Sequence, residues 1–248
     1  MSASMVNVPS GLLTCLPKPF VERTISLDMR LRFLHLVWLL LTGVFFCTST
    51  MADETRPTLL VLGDSLSAGF GLDLKDTWAA LLQTRLDKEG YGYRVVNASI
   101  SGDTTGNGLR RLPRALKIHQ PEIVLIELGG NDGLRGISTD LMQANLEQMI
   151  QQVQAQNASV VLAGILIPPN YGTEYTELFA DVYPRLARQY NTALIPFFME
   201  GVALDGDMMM PDGLHPNKKA QPLLVENVWA TLEPLLQTEA TTTNQAAN

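Results

Sequence analysis

From Thr58 to Leu236, short apolar runs alternate with longer stretches whose apolar residues recur every three or four positions. The run Ile123–Leu128 has almost no polar alternation, as a strand covered on both faces requires. Strands are predicted over Thr58–Leu62, Arg94–Ala98, Ile123–Leu128, Ser159–Ile167 and Ala193–Phe197. Helices are predicted over Thr77–Glu89, Leu109–Ile118, Asp140–Gln156, Glu174–Tyr190 and Asn217–Leu236. Pro113 is expected at a break or kink, because it lacks the N–H that a helix interior needs. Five strands alternating with five helices give an α/β fold with a central parallel sheet and right-handed crossovers. No repeat or linker interrupts the pattern, so residues 53–237 are read as one domain.

The first 52 residues follow another pattern. Arg30 and Arg32 precede the apolar run Phe33–Leu41, which continues through Val44, Phe45 and Phe46 to small residues. Thr50 and Ala52 stand at the −3 and −1 spacing of a signal-peptidase site. A basic segment, a short apolar core and a small-residue exit predict a secretory signal peptide over residues 29–52, cut after Ala52. An uncleaved anchor is the competing reading, but the run is shorter than the ~20 apolar residues a spanning helix needs. Acidic Asp53 and Glu54, not basic residues, follow it. A lipoprotein reading through Cys47 suffers from Phe46, which stands where a small residue is required. Residues 1–28 form an extension without a usable pattern, and Met1, Met5 and Met29 are all possible starts. The expected product is exported, periplasmic or secreted, with no stable membrane insertion after cleavage. Residues 238–248, rich in Thr, Ala and Asn, lack core-forming side chains and are expected to be disordered.

Both cysteines, Cys15 and Cys47, precede the cut, so the mature chain would hold itself together by packing alone. The chain has 248 residues, 46% of them hydrophobic, which is enough for one sizeable core. Its net charge is −7. Removing residues 1–52 takes away four basic and two acidic residues and deepens it to −9. An acidic body argues against nucleic acid as a partner and against electrostatic docking on anionic lipid. Oligomeric state leaves no sequence signature here.

Four stretches stand at loop positions where open α/β sheets place their sites. Gly63-Asp64-Ser65-Leu66-Ser67-Ala68-Gly69 follows the first strand, and its serine is either an exposed nucleophile or an ordinary helix-capping residue. Asn97-Ala98-Ser99-Ile100-Ser101-Gly102-Asp103-Thr104 follows the second, where Gly102 either lets the backbone offer its N–H to a substrate or only makes a turn. Leu128-Gly129-Gly130-Asn131-Asp132-Gly133 follows the third, and Asn131 can aim its amide into a site. The bland alternative is a turn rich in Gly, Asn and Asp. In Asp212-Gly213-Leu214-His215-Pro216, the carboxylate can accept from one ring nitrogen and leave the other free as a base. Only three histidines occur: His35 in the leader, His119 in what reads as a solvated polar loop, and His215.

These four blocks, in this order, resemble the GDSL, or SGNH, hydrolase superfamily. The closest likeness is to the bacterial periplasmic thioesterase I, lysophospholipase and arylesterase group, carried also by Gly130–Gly136 and Pro196-Phe197-Phe198-Met199-Glu200. The likeness runs from about Thr58 to Leu236. It implies a flavodoxin-like three-layer fold with a five-stranded parallel sheet of order 2-1-3-4-5. It implies Ser65 as nucleophile, Asp212 and His215 as its triad partners, and the Ser65 N–H, Gly102 and Asn131 as oxyanion-hole donors. The implied reaction is hydrolysis of a small-molecule acyl ester, thioester or lipid through an acyl-enzyme, with no metal and no organic cofactor. The acyl chain is expected against Leu134, Ile137, Ile167, Pro168 and Tyr171, which follow the third and fourth strands.

The alternatives are an acetyl-carbohydrate esterase on the same fold and a non-catalytic flavodoxin-like binding domain. The second is disfavoured because no P-loop and no Gly-x-Gly-x-x-Gly follows a strand. A metal-dependent phosphatase built on Asp64, Asn131, Asp132 and His215 would lack a second nearby histidine. An α/β-hydrolase would need a Gly-x-Ser-x-Gly elbow, which Ser65 does not have.

Overall fold

A computed structural model describes residues 56–236. The expected leader at 29–52, the extension at 1–28 and the tail at 238–248 lie outside the described residues. The strands are β1 (Thr58–Gly63), β2 (Arg94–Asn97), β3 (Ile123–Glu127), β4 (Ser159–Ala163) and β5 (Ala193–Ile195). All pair in parallel, in the order β2-β1-β3-β4-β5, with Leu59 opposite Val95 on one side and Ile123 on the other.

The side-chain period of two divides each central strand between two apolar layers. Leu60, Leu62, Val124, Ile126, Val160 and Leu162 face one cluster. It is completed by helices α3 (Thr105–His119), α5 (Thr139–Gln154) and α6 (Thr173–Tyr190). Leu59, Val61, Ile123, Leu125, Val161 and Ala163 face the other, completed by α2 (Trp78–Glu89) and α7 (Gln221–Leu232). This two-sided burial explains why the strands read as apolar without alternation.

Several boundaries differ from expectation, each for a local reason. Helix α3 starts at Thr105 rather than Leu109 and runs through Pro113 without a break. Thr104 caps it, accepting from Asn107 N at 3.3 Å. Gly106 and Gly108 belong to this helix, and Gly108 is small for packing, since a Cβ there would lie 2.3 Å from Leu128 Cδ1. His119 is accordingly the last helical residue and not a loop residue. Strand β4 stops at Ala163 instead of Ile167, and the chain beyond it folds Ile165 and Ile167 into the core before Pro168 and Pro169. Strand β5 ends before Pro196, which cannot donate to a ladder. The last helix is a short 3-10 turn, then α7, then another 3-10 turn at Glu233–Leu235. Pro222 suits the first turn of α7, and Pro234 cannot continue it. Two short helices were expected as loops: α1 (Ser65–Ala68) and α4 (Gly130–Leu134). Among the described residues, no helix is long and apolar enough to cross a membrane.

Candidate active site

The carboxyl ends of β1, β2 and β3 lie side by side, and each runs into one of the sequence blocks. After β1 the backbone turns directly into α1. Asp64 caps that helix, its Oδ1 accepting from Leu66 N at 3.0 Å. Gly63 is required just before it, because a Cβ there would stand 2.7 Å from Ser67 Cβ and 2.8 Å from Glu127 Oε2. The turn leaves Ser65 half-buried at the first position of the helix.

His215 reaches Ser65 from the segment between β5 and α7. Met210 N donates to the His215 carbonyl at 2.7 Å, which closes the chain around Asp212. Asp212 Oδ1 accepts from Leu214 N at 2.9 Å and His215 N at 3.0 Å, and its Oδ2 lies 2.7 Å from His215 Nδ1. These donors, the Leu214 N–H foremost, hold the Asp212 carboxyl down at about 2. Asp212 is therefore a carboxylate at neutral pH, and Nδ1 carries the hydrogen. That tautomer leaves Nε2 as an acceptor 2.9 Å from Ser65 Oγ. Phe70 stacks on the imidazole, with ring centroids 4.3 Å apart.

Asn131 lies in α4, and its Nδ2 donates to Asp64 Oδ2 and to the Asp103 carbonyl, both at 3.0 Å. Gly102, next to Asp103, accepts at its carbonyl from Arg135 Nη2 at 3.0 Å. The three residues expected to make an oxyanion hole are thus joined through Asp64 and Asp103. Arg111 holds the same region from α3. Its Nε donates to Asp103 Oδ2 at 2.6 Å, its Nη2 to Gly63 O at 3.0 Å, and its Nη1 to Ala98 O.

Burial raises three carboxyls behind this surface. Glu127 is fully buried at the end of β3, where its Oε2 accepts from Ser67 Oγ at 2.7 Å and Oε1 has no partner. Burial pushes its carboxyl well above the usual range, and the neighbouring Asp64 charge adds to this. Burial also pushes Asp64 up to about 6, against the pull of Leu66 N–H, Asn131 and His215. Asp132 is raised by burial too, and accepts from Thr105 Oγ1 at 2.6 Å and Thr105 N at 2.8 Å.

Of the five residues expected along the acyl chain, Leu134 and Ile137 are half-buried, Pro168 and Tyr171 are exposed, and Ile167 packs inside the core. Tyr171 Oη donates to the Leu134 carbonyl at 3.1 Å, so the segments after β3 and β4 do meet. A shallow surface depression beside Ser65 is lined by other residues, including Leu66, Phe70, Leu72 and Pro216. Phe70, Arg111 and Glu127 belong to this surface although no motif of the sequence points to them. Glu127 did carry a signal, as a lone carboxyl within an otherwise apolar strand.

The sequence profile described as "GDSL-like Lipase/Acylhydrolase family" matches residues 61–222. Esterase TesA of Pseudomonas aeruginosa is 54% identical over 198 residues, which cover 80% of this chain and 98% of that protein. The Escherichia coli K12 protein named thioesterase 1/protease 1/lysophospholipase L1 is 47% identical over 193 residues, 78% of this chain and 91% of its own. A crystal structure of TesA superposes with a TM-score of 0.71 at 58% identity, covering 72% of this chain and 99% of that one.

Proposed function

Since the chain belongs to the GDSL-like lipase/acylhydrolase family and is a hydrolase acting on ester bonds, we propose that it works as a serine esterase through Ser65, His215 and Asp212. The observation that carries this reading is the unbroken hydrogen-bonded chain from Ser65 Oγ through both imidazole nitrogens to Asp212. His215 Nε2 takes the hydroxyl proton as Oγ attacks the acyl carbonyl, and Asp212 stabilises the imidazolium that forms. The negative charge on the tetrahedral oxygen falls to the N–H groups of Ser65 and Gly102 and to the Asn131 amide. His215 then protonates the departing alcohol or thiol. Water, deprotonated by the same nitrogen, releases the acid from the Ser65 acyl-enzyme. The cycle calls for no metal or organic cofactor.

The substrates proposed are acyl esters and thioesters, including lysophospholipids and aryl esters. The names of the relatives, an esterase and a thioesterase/lysophospholipase, support that range. A chain-length series of p-nitrophenyl esters, run beside a lysophospholipid and an acyl thioester, tests it. Turnover of all three classes is expected. Turnover confined to acetylated carbohydrates would favour the acetyl-carbohydrate esterase instead.

The basic, apolar and small-residue order of residues 29–52 supports export with cleavage after Ala52, leaving residues 53–237 as the catalytic domain. N-terminal sequencing of native protein should return Asp53 from outside the cytoplasm. A start at Met1, Met5 or Met29 in protein retained in the membrane would support the anchor.

A further inference from the structure

Asp64 touches no reacting atom in the cycle described above, yet it connects the elements that do. It is 2% exposed, and its two carboxylate oxygens serve two different segments. Oδ1 accepts from Leu66 N in the first turn of α1, which carries Ser65. Oδ2 accepts from Asn131 Nδ2 in α4. A residue that only capped α1 would need one oxygen and could stay in water. This one is buried and divided between the nucleophile's helix and the Asn131 amide.

Asn131 shows why that matters. Its amide nitrogen has two hydrogens: Asp64 Oδ2 takes one and sets the plane of the amide, and the other, resting on the Asp103 carbonyl, is the one it can pass to an oxyanion. The side chain therefore cannot rotate without breaking one of these bonds. Asp64 is itself anchored from below, where Glu127 Oε2 takes Ser67 Oγ–H at 2.7 Å and lies 3.4 Å from Asp64 N. Asp103 is anchored through the Arg111 guanidinium.

We propose that Asp64 is a positioning residue that fixes the Ser65 N–H and the Asn131 amide in one frame before substrate arrives. The inference rests on the serine mechanism proposed above. Donors already aimed before charge develops lower the barrier most, because little has to be reorganised when it does. Removing the frame should therefore act on the transition state and leave ground-state binding nearly untouched.

The test is a kinetic cycle on a p-nitrophenyl ester with the full mature chain: Asp64→Ala, Asn131→Ala, both together, and Ser65→Ala as control. Asp64→Ala should lower kcat by about 10- to 100-fold, below the loss of a whole oxyanion donor, with KM changed by no more than about twofold. In the Asn131→Ala background the same change should cost less than about a third of that factor, because residues acting as a unit are not additive. Asp64→Asn, which keeps the shape and one acceptor oxygen, should lie between wild type and Asp64→Ala. It also carries the cycle if Asp64→Ala does not fold. An equal factor in both backgrounds, an unchanged kcat, or a loss confined to KM would overturn the proposal. An inactive Ser65→Ala beside an additive Asp64 effect would overturn the frame alone. An active Ser65→Ala would overturn the serine mechanism, and the frame with it.

Discussion

Phe70 lies against the imidazole of His215, with ring planes inclined by 30° and centroids 4.3 Å apart. Phe70 is nevertheless 49% exposed, so its ring is not there to fill the core. The stack covers one face of the imidazole, which Asp212 holds only at its Nδ1 edge. Such pairs contribute about 0.5–1.5 kcal/mol, which corresponds to roughly a 2- to 10-fold change in rate if it is felt in the transition state. Phe70→Ala should therefore lower kcat within that range and leave the melting temperature nearly unchanged. Steady-state kinetics beside a thermal melt checks this. A wild-type kcat would mean that Asp212 alone orients the ring.

Glu127 gives a pH prediction whose sign follows from burial. Its carboxyl is pushed well above the ordinary 4.5, so the folded protein holds the proton more tightly than the unfolded chain does. The stability linked to the neutral group is complete below about 4.5 and is lost as pH rises through the folded value. Glu127→Gln has no proton to lose and keeps an acceptor for Ser67. Its melting temperature should therefore fall less than that of wild type as pH is raised above 4.5. Parallel melting curves across that window would show that Glu127 does not govern this pH dependence.

Leu134 tests where the acyl chain lies. It is half-buried, and its carbonyl is held by Tyr171 across the gap between the segments after β3 and β4. If these segments wall the acyl groove, Leu134→Ala should lower kcat/KM more for long acyl esters than for acetyl esters. Each lost methylene contact is worth up to ~0.8 kcal/mol. A uniform loss across chain lengths, together with a lower melting temperature, would make Leu134 a core residue. The hollow lined by Leu66, Phe70 and Leu72 would then be the site to probe.

The fold was legible where the pattern depends on burial alone. Leu59 to Leu62 and Ile123 to Ile126 are apolar because both faces of the sheet are covered, and that leaves a mark in composition. Helices α1 and α4 left no such mark. They are four and five residues long, and α1 is held by a cap on Asp64 and by Glu127 from the neighbouring strand. Helix α3 is longer than its pattern suggests, because Gly106 and Gly108 look like loop residues, when the second is needed for contact with Leu128. In the site, the pairing of Asp212 with His215 was legible because the two stand three positions apart within one loop. Arg111 was not, because its partners at Gly63, Ala98 and Asp103 come together only once β1 and β2 are paired.

The central claim is that Ser65 forms the covalent intermediate, and trapping it is the most direct test. The chain should be treated with a p-nitrophenyl alkylphosphonate, and its intact mass and peptide map followed against residual activity. Addition of one phosphonyl group per chain, on the peptide containing Ser65 and in step with inactivation, is the predicted result. Ser65→Ala should take up no label and should lose activity by on the order of 10⁴–10⁶. Label on another residue, or a folded Ser65→Ala that keeps a tenth of wild-type turnover, would contradict the account.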